Sequence, residues 1–89
     1  MKEIKYLTKE LLVRLNDKAI LEGKNRSIRP ERYEALGDDT LFPIAMSMIY
    51  NDSEIRCRVT LDSLGNWFWL DMDVEDFSNL PIKVVQSVP

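Results

Sequence analysis

The 89-residue chain has no histidine, one cysteine and three glycines, and its apolar residues never form a long run. Each shortage closes off a class of function. Without histidine there is no commonest general base, no commonest zinc ligand, and no Ser-His or Cys-His nucleophile pair. Cys57 stands alone, so it can neither close an intrachain disulfide nor build a thiolate zinc site. Catalysis would fall to carboxylates, lysine or tyrosine, and the spacing of these residues argues for no paired geometry. The expectation is a non-enzymatic protein without cofactor or metal. No apolar stretch approaches the roughly 20 residues of a membrane helix. The opening Met-Lys-Glu-Ile-Lys-Tyr lacks the apolar core of a secretory signal, and with the single cysteine this makes a cytoplasmic protein the expectation.

The composition itself is that of one small folded domain spanning residues 1–89, since a hydrophobic content of 45% is too high for a disordered chain. Net charge is −3 and unevenly spread: residues 1–32 carry nine basic and five acidic side chains, residues 33–89 three basic and ten acidic. Such asymmetry can mark an electrostatic partner surface. The favoured reading is plainer, a basic helix packed on an acidic sheet with each solvated on its outside.

Glycines 23, 37 and 65 punctuate the chain. Residues 9–22 read as an amphipathic helix, with Thr8 at the N-cap, Leu7 and Leu12 at staple spacing, a stripe of Leu11, Leu12, Leu15 and Ala19, and Gly23 just past the end. Lys2–Leu7 reads as a short edge strand. The polar, basic segment 24–40 connects the helix to the strand region, and Pro30 can open a short helix through Leu36.

From residue 41 the period becomes two. Phe42, Ile44, Met46, Met48 and Tyr50 fall on one face of a first strand, and Ile55, Cys57, Val59 and Leu61 on one face of a second. A turn at Asn51-Asp52 pairs Met48 with Ile55, Met46 with Cys57 and Ile44 with Val59, all on one face. The third strand holds Trp67-Phe68-Trp69, apolar on both faces. Two registers compete for it. Gly65 in a bulged three-residue loop pairs Val59 with Trp69 and turns both tryptophans into the core beside Asp71 and Asp73. A shift of one pairs Val59 with Phe68 and Cys57 with Leu70, burying Phe68, Leu70, Met72 and Val74 and leaving the aspartates wet. The second is preferred. A turn through Asp76–Pro81 leads to a last strand at 82–88, with Ile82, Val84 and Val88 on one face. The fold class expected is α+β, one N-terminal helix packed on an antiparallel meander of three to four strands within 41–88.

In the preferred register Trp67 and Trp69 share the outer face with Arg56, Arg58 and Thr60, with Asp71 opposite Arg56 and Trp69 opposite Arg58. Aromatic pairs beside arginine anchor interfaces, which makes Trp67, Trp69, Arg56, Arg58 and Asp71 the candidate binding residues. The competing reading folds segment 24–40 over the tryptophans.

Other clusters are weaker. Asp71, Asp73, Glu75 and Asp76 invite a calcium reading, but an EF-hand loop begun at Asp71 has Asp76 where glycine belongs and Ile82 where glutamate belongs. Lys24, Arg26, Arg29 and Arg32 could meet phosphate, yet no glycine-rich loop accompanies them and the domain is acidic overall. Cys57, mid-strand on an apolar face, reads as a small hydrophobe. Tyr6-Leu7-Thr8-Lys9-Glu10 followed by an amphipathic helix resembles the start of Doc-type Fic proteins over about a quarter of the chain. The His-Pro-Phe…Gly-Asn motif of that family is absent, so the resemblance implies no activity here.

The function expected is an interaction module, an accessory or inhibitor protein that binds a macromolecule or its own copy through the face bearing Trp67 and Trp69. The acidic C-terminal portion would suit a basic partner. The alternative is a sequestering protein for a small molecule or nucleotide, with a flat anionic ligand stacked on the same tryptophans.

Overall fold

A computed structural model describes residues 2–85. In chain order the elements are β1 (Lys2–Thr8), α1 (Lys9–Leu21), α2 (Glu31–Glu34), β2 (Leu41–Asn51), β3 (Glu54–Thr60), β4 (Trp67–Asp73), α3 (Val74–Ser78) and β5 (Ile82–Val85). The strands form one antiparallel sheet in the order β4-β3-β2-β1-β5. The class is α+β, with an N-terminal helix on a sheet of five strands rather than three or four. Among the described residues no helix is long and apolar enough to cross a membrane.

Helix α1 starts where its cap chemistry begins, with the Thr8 hydroxyl accepting from the Leu11 N–H at 3.2 Å. It ends in a Schellman closure: the Lys24 N–H reaches the Ala19 carbonyl and the Gly23 N–H the Ile20 carbonyl, with Gly23 at φ 70°. Leu12, Leu15 and Ala19 of α1 lie in one core with Leu7 and Phe42 of the central strands. Ile55, Cys57 and Val59 of β3 and Phe68, Leu70 and Met72 of β4 complete it.

Segment 24–40 closes over this same inner face. Ile28 and Tyr33 are buried, and Asn16 of α1 clips the segment down. Its amide donates to the Ile28 carbonyl at 2.8 Å and to Tyr33 Oη at 3.4 Å, and its carbonyl accepts from the Ile28 N–H at 3.0 Å. Buried polar groups need such partners, and Asn16 meets both backbone groups of Ile28 at once.

Strands β3 and β4 pair in the shifted register, with Val59 opposite Phe68, Cys57 opposite Leu70 and Arg56 opposite Asp71. The turn before β4 is tied by Asp62, whose carboxylate accepts from the Leu64 and Asn66 N–H groups and from the Asn66 amide. Asn66 holds the Asp62 carboxyl below its usual range.

Three expectations are corrected. The β1 strand lies inside the sheet between β2 and β5, so it is not an edge. Val74–Ser78 form the short helix α3, so Val74 leaves the third strand and the helix runs into the turn expected at 76–81. The last strand is described at Ile82–Val85, and Val88 lies outside the described residues.

The third correction concerns β2. Ile44 faces Val59 as expected, but an irregularity between Ile44 and Met46 puts Met46 opposite Arg58 and Met48 opposite Arg56. One extra residue at Ala45 reverses the faces of Met46 to Ile49. A second irregularity, between Ile49 and Asn51, sets Asn51 opposite Glu54 and moves the hairpin turn to Asp52-Ser53. Met46 and Met48 therefore leave the core face and join the outer one, each 44% exposed.

Candidate functional site

Helices α1 and α3 and segment 24–36 contribute to the core on the inner side of the sheet. The outer side of β2, β3 and β4 presents Met46, Met48, Tyr50, Arg56, Arg58, Trp67, Trp69 and Asp71, with Trp67 39% and Tyr50 41% exposed. Segment 24–40 packs Ile28 and Tyr33 into the inner core, and its start, Lys24 to Arg26, lines a cleft with Tyr50, Glu54, Arg56 and Asp71.

Trp67 and Trp69 stand on one face because they are two residues apart on β4. Their ring centroids are 5.1 Å apart at an interplanar angle of 82°, an edge-to-face contact. Arg58 pairs across the strands with Trp69, but its guanidinium lies over the Trp67 ring, 4.4 Å from the centroid. The cation–π contact is diagonal rather than direct.

The three polar candidates divide sharply. Asp71 is 4% exposed, so it is no rim carboxylate. Arg56 grips it in a forked pair, Nε to Oδ1 at 3.0 Å and Nη2 to Oδ2 at 3.3 Å, and Tyr50 donates to Oδ2 at 3.0 Å. Arg56 also stacks on the Tyr50 ring at 4.5 Å. This cluster satisfies itself. Arg58 has no such answer: it makes no ion pair among the described residues, and its Nε is buried without a hydrogen-bond partner.

Strict alternation puts Tyr50 on the core face, but it stands at the second irregularity of β2, between Ile49 and Asn51, and its hydroxyl reaches Asp71 on the outer face. Besides Asp71 it donates to Glu54, and these hydrogen bonds, Glu54 first and burial next, raise its pKa well above the usual tyrosine range.

The remaining acidic residues are also engaged. Lys18 of α1 bonds Asp73 and Asp76, each at 2.8 Å, which raises the lysine and holds Asp73 low. Burial works against the Lys24 ammonium, but Glu54 at 2.9 Å and Glu22 at 3.3 Å outweigh it and raise its pKa. Lys24 is thus bound within the fold, not held out for phosphate. Among the described residues no three carboxylate, thiol or imidazole groups converge into a metal site. Burial pushes the Cys57 thiol up to about 12, which makes it inert.

Comparison with protein-family models, curated proteins and solved structures returned no match. The functional reading rests on the geometry of this chain.

Proposed function

We propose that this protein is a non-enzymatic interaction module that docks a macromolecular partner on the outer face of its sheet. The observation that carries the reading is Arg58. A guanidinium laid on Trp67, with a buried unpartnered Nε and no carboxylate of its own, stands among exposed Trp67, Met46, Met48 and Tyr50. An apolar patch around a partly buried arginine with no carboxylate partner is the anatomy of an interface anchor. The acidic side chains Asp71, Asp73, Asp76 and Glu54 are taken up in internal pairs, so the charge offered on this face is positive. The group that docks over Arg58 is then a partner's carboxylate, set in an apolar surround. This replaces the expectation of a basic partner. With a single buried cysteine, a reducing compartment such as the cytoplasm suits the protein.

The small-ligand reading is less well supported. Small-molecule sites are concave, whereas clefts of about 510, 400, 350 and 340 Å³ are lined by residues other than the tryptophans. Trp67 already carries Arg58 on one face.

The test is capture from native lysate with wild type, a Trp67→Ala/Trp69→Ala pair and Arg58→Gln, each shown to be folded by circular dichroism. A protein retained by wild type and lost from both variants supports the proposal. Retention of the same protein by all three, or capture of nothing, overturns it.

A further inference from the structure

Strand β2 has eleven residues, but β1 covers only its first part: Thr8, Leu7 and Tyr6 pair with Leu41, Phe42 and Pro43, and the pairing stops there. Beyond the bulge β1 diverges to pair with β5, leaving a wedge of about 510 Å³ between Lys2–Lys5 and Ile44–Ser47. Among the described residues no strand pairs with the outer half of β2 on the side away from β3, which makes it a free sheet edge.

Alternation fixes which backbone groups that edge presents. The Leu61 N–H bonds the Asn66 carbonyl and the Val74 N–H the Ser53 carbonyl, so odd-numbered residues of β3 point their backbone groups toward β4. Arg56 and Arg58 then point theirs toward β2, where Met48 and Met46 stand opposite. Ser47 and Ile49, between and after them, must aim N–H and C=O outward along the open edge. Free edges are normally blunted by charge or proline, because they template pairing with another chain. Residues 40–51 hold no charged side chain at all, and Pro43 lies in the part that β1 already covers.

We propose that this edge pairs antiparallel with β2 of a second copy of the chain, about a two-fold axis at Met48. Antiparallel pairing of a strand with itself is self-complementary. In this register Ser47 faces Ile49 of the second copy, and the reverse, giving two hydrogen-bonded pairs and four ladder bonds. Met48 faces its own counterpart, and Met46 meets Tyr50 of the second copy, a favourable sulfur–aromatic contact. The hairpin tip of the second copy, with Asp52, comes to the mouth of the wedge, which carries Lys2, Glu3 and Lys5 and is net positive; neither lysine has an ion-pair partner among the described residues, and Lys5 lies over the Phe77 ring. Charge complementarity thus favours a second copy over an unrelated strand. The two-fold axis runs perpendicular to the sheet, so both tryptophan faces emerge on one side. The inference stands on the edge and does not require the outer face to be a docking site.

The edge is about 26 Å long at the usual strand rise, a contact smaller than a standard interface of about 800 Å² per partner. Association in the micromolar range is expected. Sedimentation equilibrium from about 1 µM to about 1 mM, a span bracketing that affinity, should show wild type reaching twice the 10.4 kDa chain mass. Met48→Lys sets two like charges face to face and should weaken association about tenfold or more. Ser47→Pro removes an edge donor from each copy at a position where proline is tolerated, and should do the same without adding charge. An equimolar mixture of Met48→Lys and Met48→Glu should recover the dimer. Trp67→Ala/Trp69→Ala should dimerise like wild type, which separates failure of this proposal from failure of the docking face. A wild type that stays monomeric to about 1 mM, a dimer unmoved by both edge variants or lost with the tryptophans, or a mixture that stays monomeric would each overturn it.

Discussion

Arg56 and Arg58 stand two residues apart on the same face of β3, and each lies against an aromatic ring, Tyr50 and Trp67 respectively. Only Arg56 has a carboxylate to answer, and that carboxylate, Asp71, is 4% exposed. Removing one partner of a buried pair leaves the other desolvated and uncompensated. Arg56→Met should therefore cost about 2–3 kcal/mol in urea denaturation, at the low end for buried pairs because Tyr50 still donates to Asp71. Arg58→Met strands no carboxylate and should change stability by less than about 1 kcal/mol. Equal losses at the two sites would mean that Arg58 is a stability residue and not an anchor. Asn16 offers a second residue-level test. Asn16→Ala leaves both backbone groups of Ile28 buried and unanswered, and should cost about 3 kcal/mol. A loss below about 1 kcal/mol would show that water reaches the gap.

At the scale of elements, the end of α1 carries more than its own closure. Gly23 takes φ 70° so that the Lys24 and Gly23 N–H groups can satisfy the last carbonyls, and the same turn delivers Lys24 to Glu54 on β3. No atom stands within 4 Å of where a Cβ would sit, so Gly23→Ala isolates the backbone cost, about 1 kcal/mol by thermal or urea unfolding. An unchanged midpoint would place the strain elsewhere. This helix was legible because cap, stripe and terminal glycine agreed. The register of β4 was legible for a similar reason: Phe68, Leu70 and Met72 alternate with Trp69, Asp71 and Asp73, and only one phase keeps the aspartates off the core. Strand β2 gave no such purchase. Leu41, Phe42, Ile44, Ala45, Met46, Met48, Ile49 and Tyr50 fill both phases with apolar side chains, and Ser47, the one polar residue among them, favours the unslipped phase, since only the slip at Ala45 sets it opposite Cys57. With the second irregularity at Tyr50, the bulge at Ala45 hid Met46, Met48 and Tyr50 from the candidate face. It also lies at the position where β1 parts from β2, consistent with the bend that a bulge puts in its strand. Helix α3, five residues long, is too short for its periodicity to show.

Across the whole molecule, the charge asymmetry between the two ends of the chain turns out to be internal. Lys18 meets Asp73 and Asp76, and Lys24 meets Glu54 and Glu22, so the basic helix end is fastened to the acidic sheet end. Stability should therefore follow pH in a form set by these pairs. Asp73 is held below its ordinary value by Lys18, and Glu54 by Tyr50 and then Lys24. A depressed carboxylate contributes stability above its unfolded pKa and loses it as pH falls through the folded one, so stability should decline below about pH 4. At the other end Lys18, Tyr50 and Cys57 are all raised, by Asp73, by Glu54 and by burial respectively. Groups raised in the folded state contribute fully below their unfolded pKa values and lose that contribution as pH climbs through the folded ones. The decline should begin above about pH 9, with Cys57 first and then Tyr50 and Lys18. Between these limbs the chain has no histidine to titrate, so the urea midpoint should be flat from about pH 5.5 to about pH 7. A slope inside that window would overturn this account. A flat acid limb would instead mean that the Lys18 and Lys24 bridges are open in solution, and that packing alone fastens α1 to the sheet.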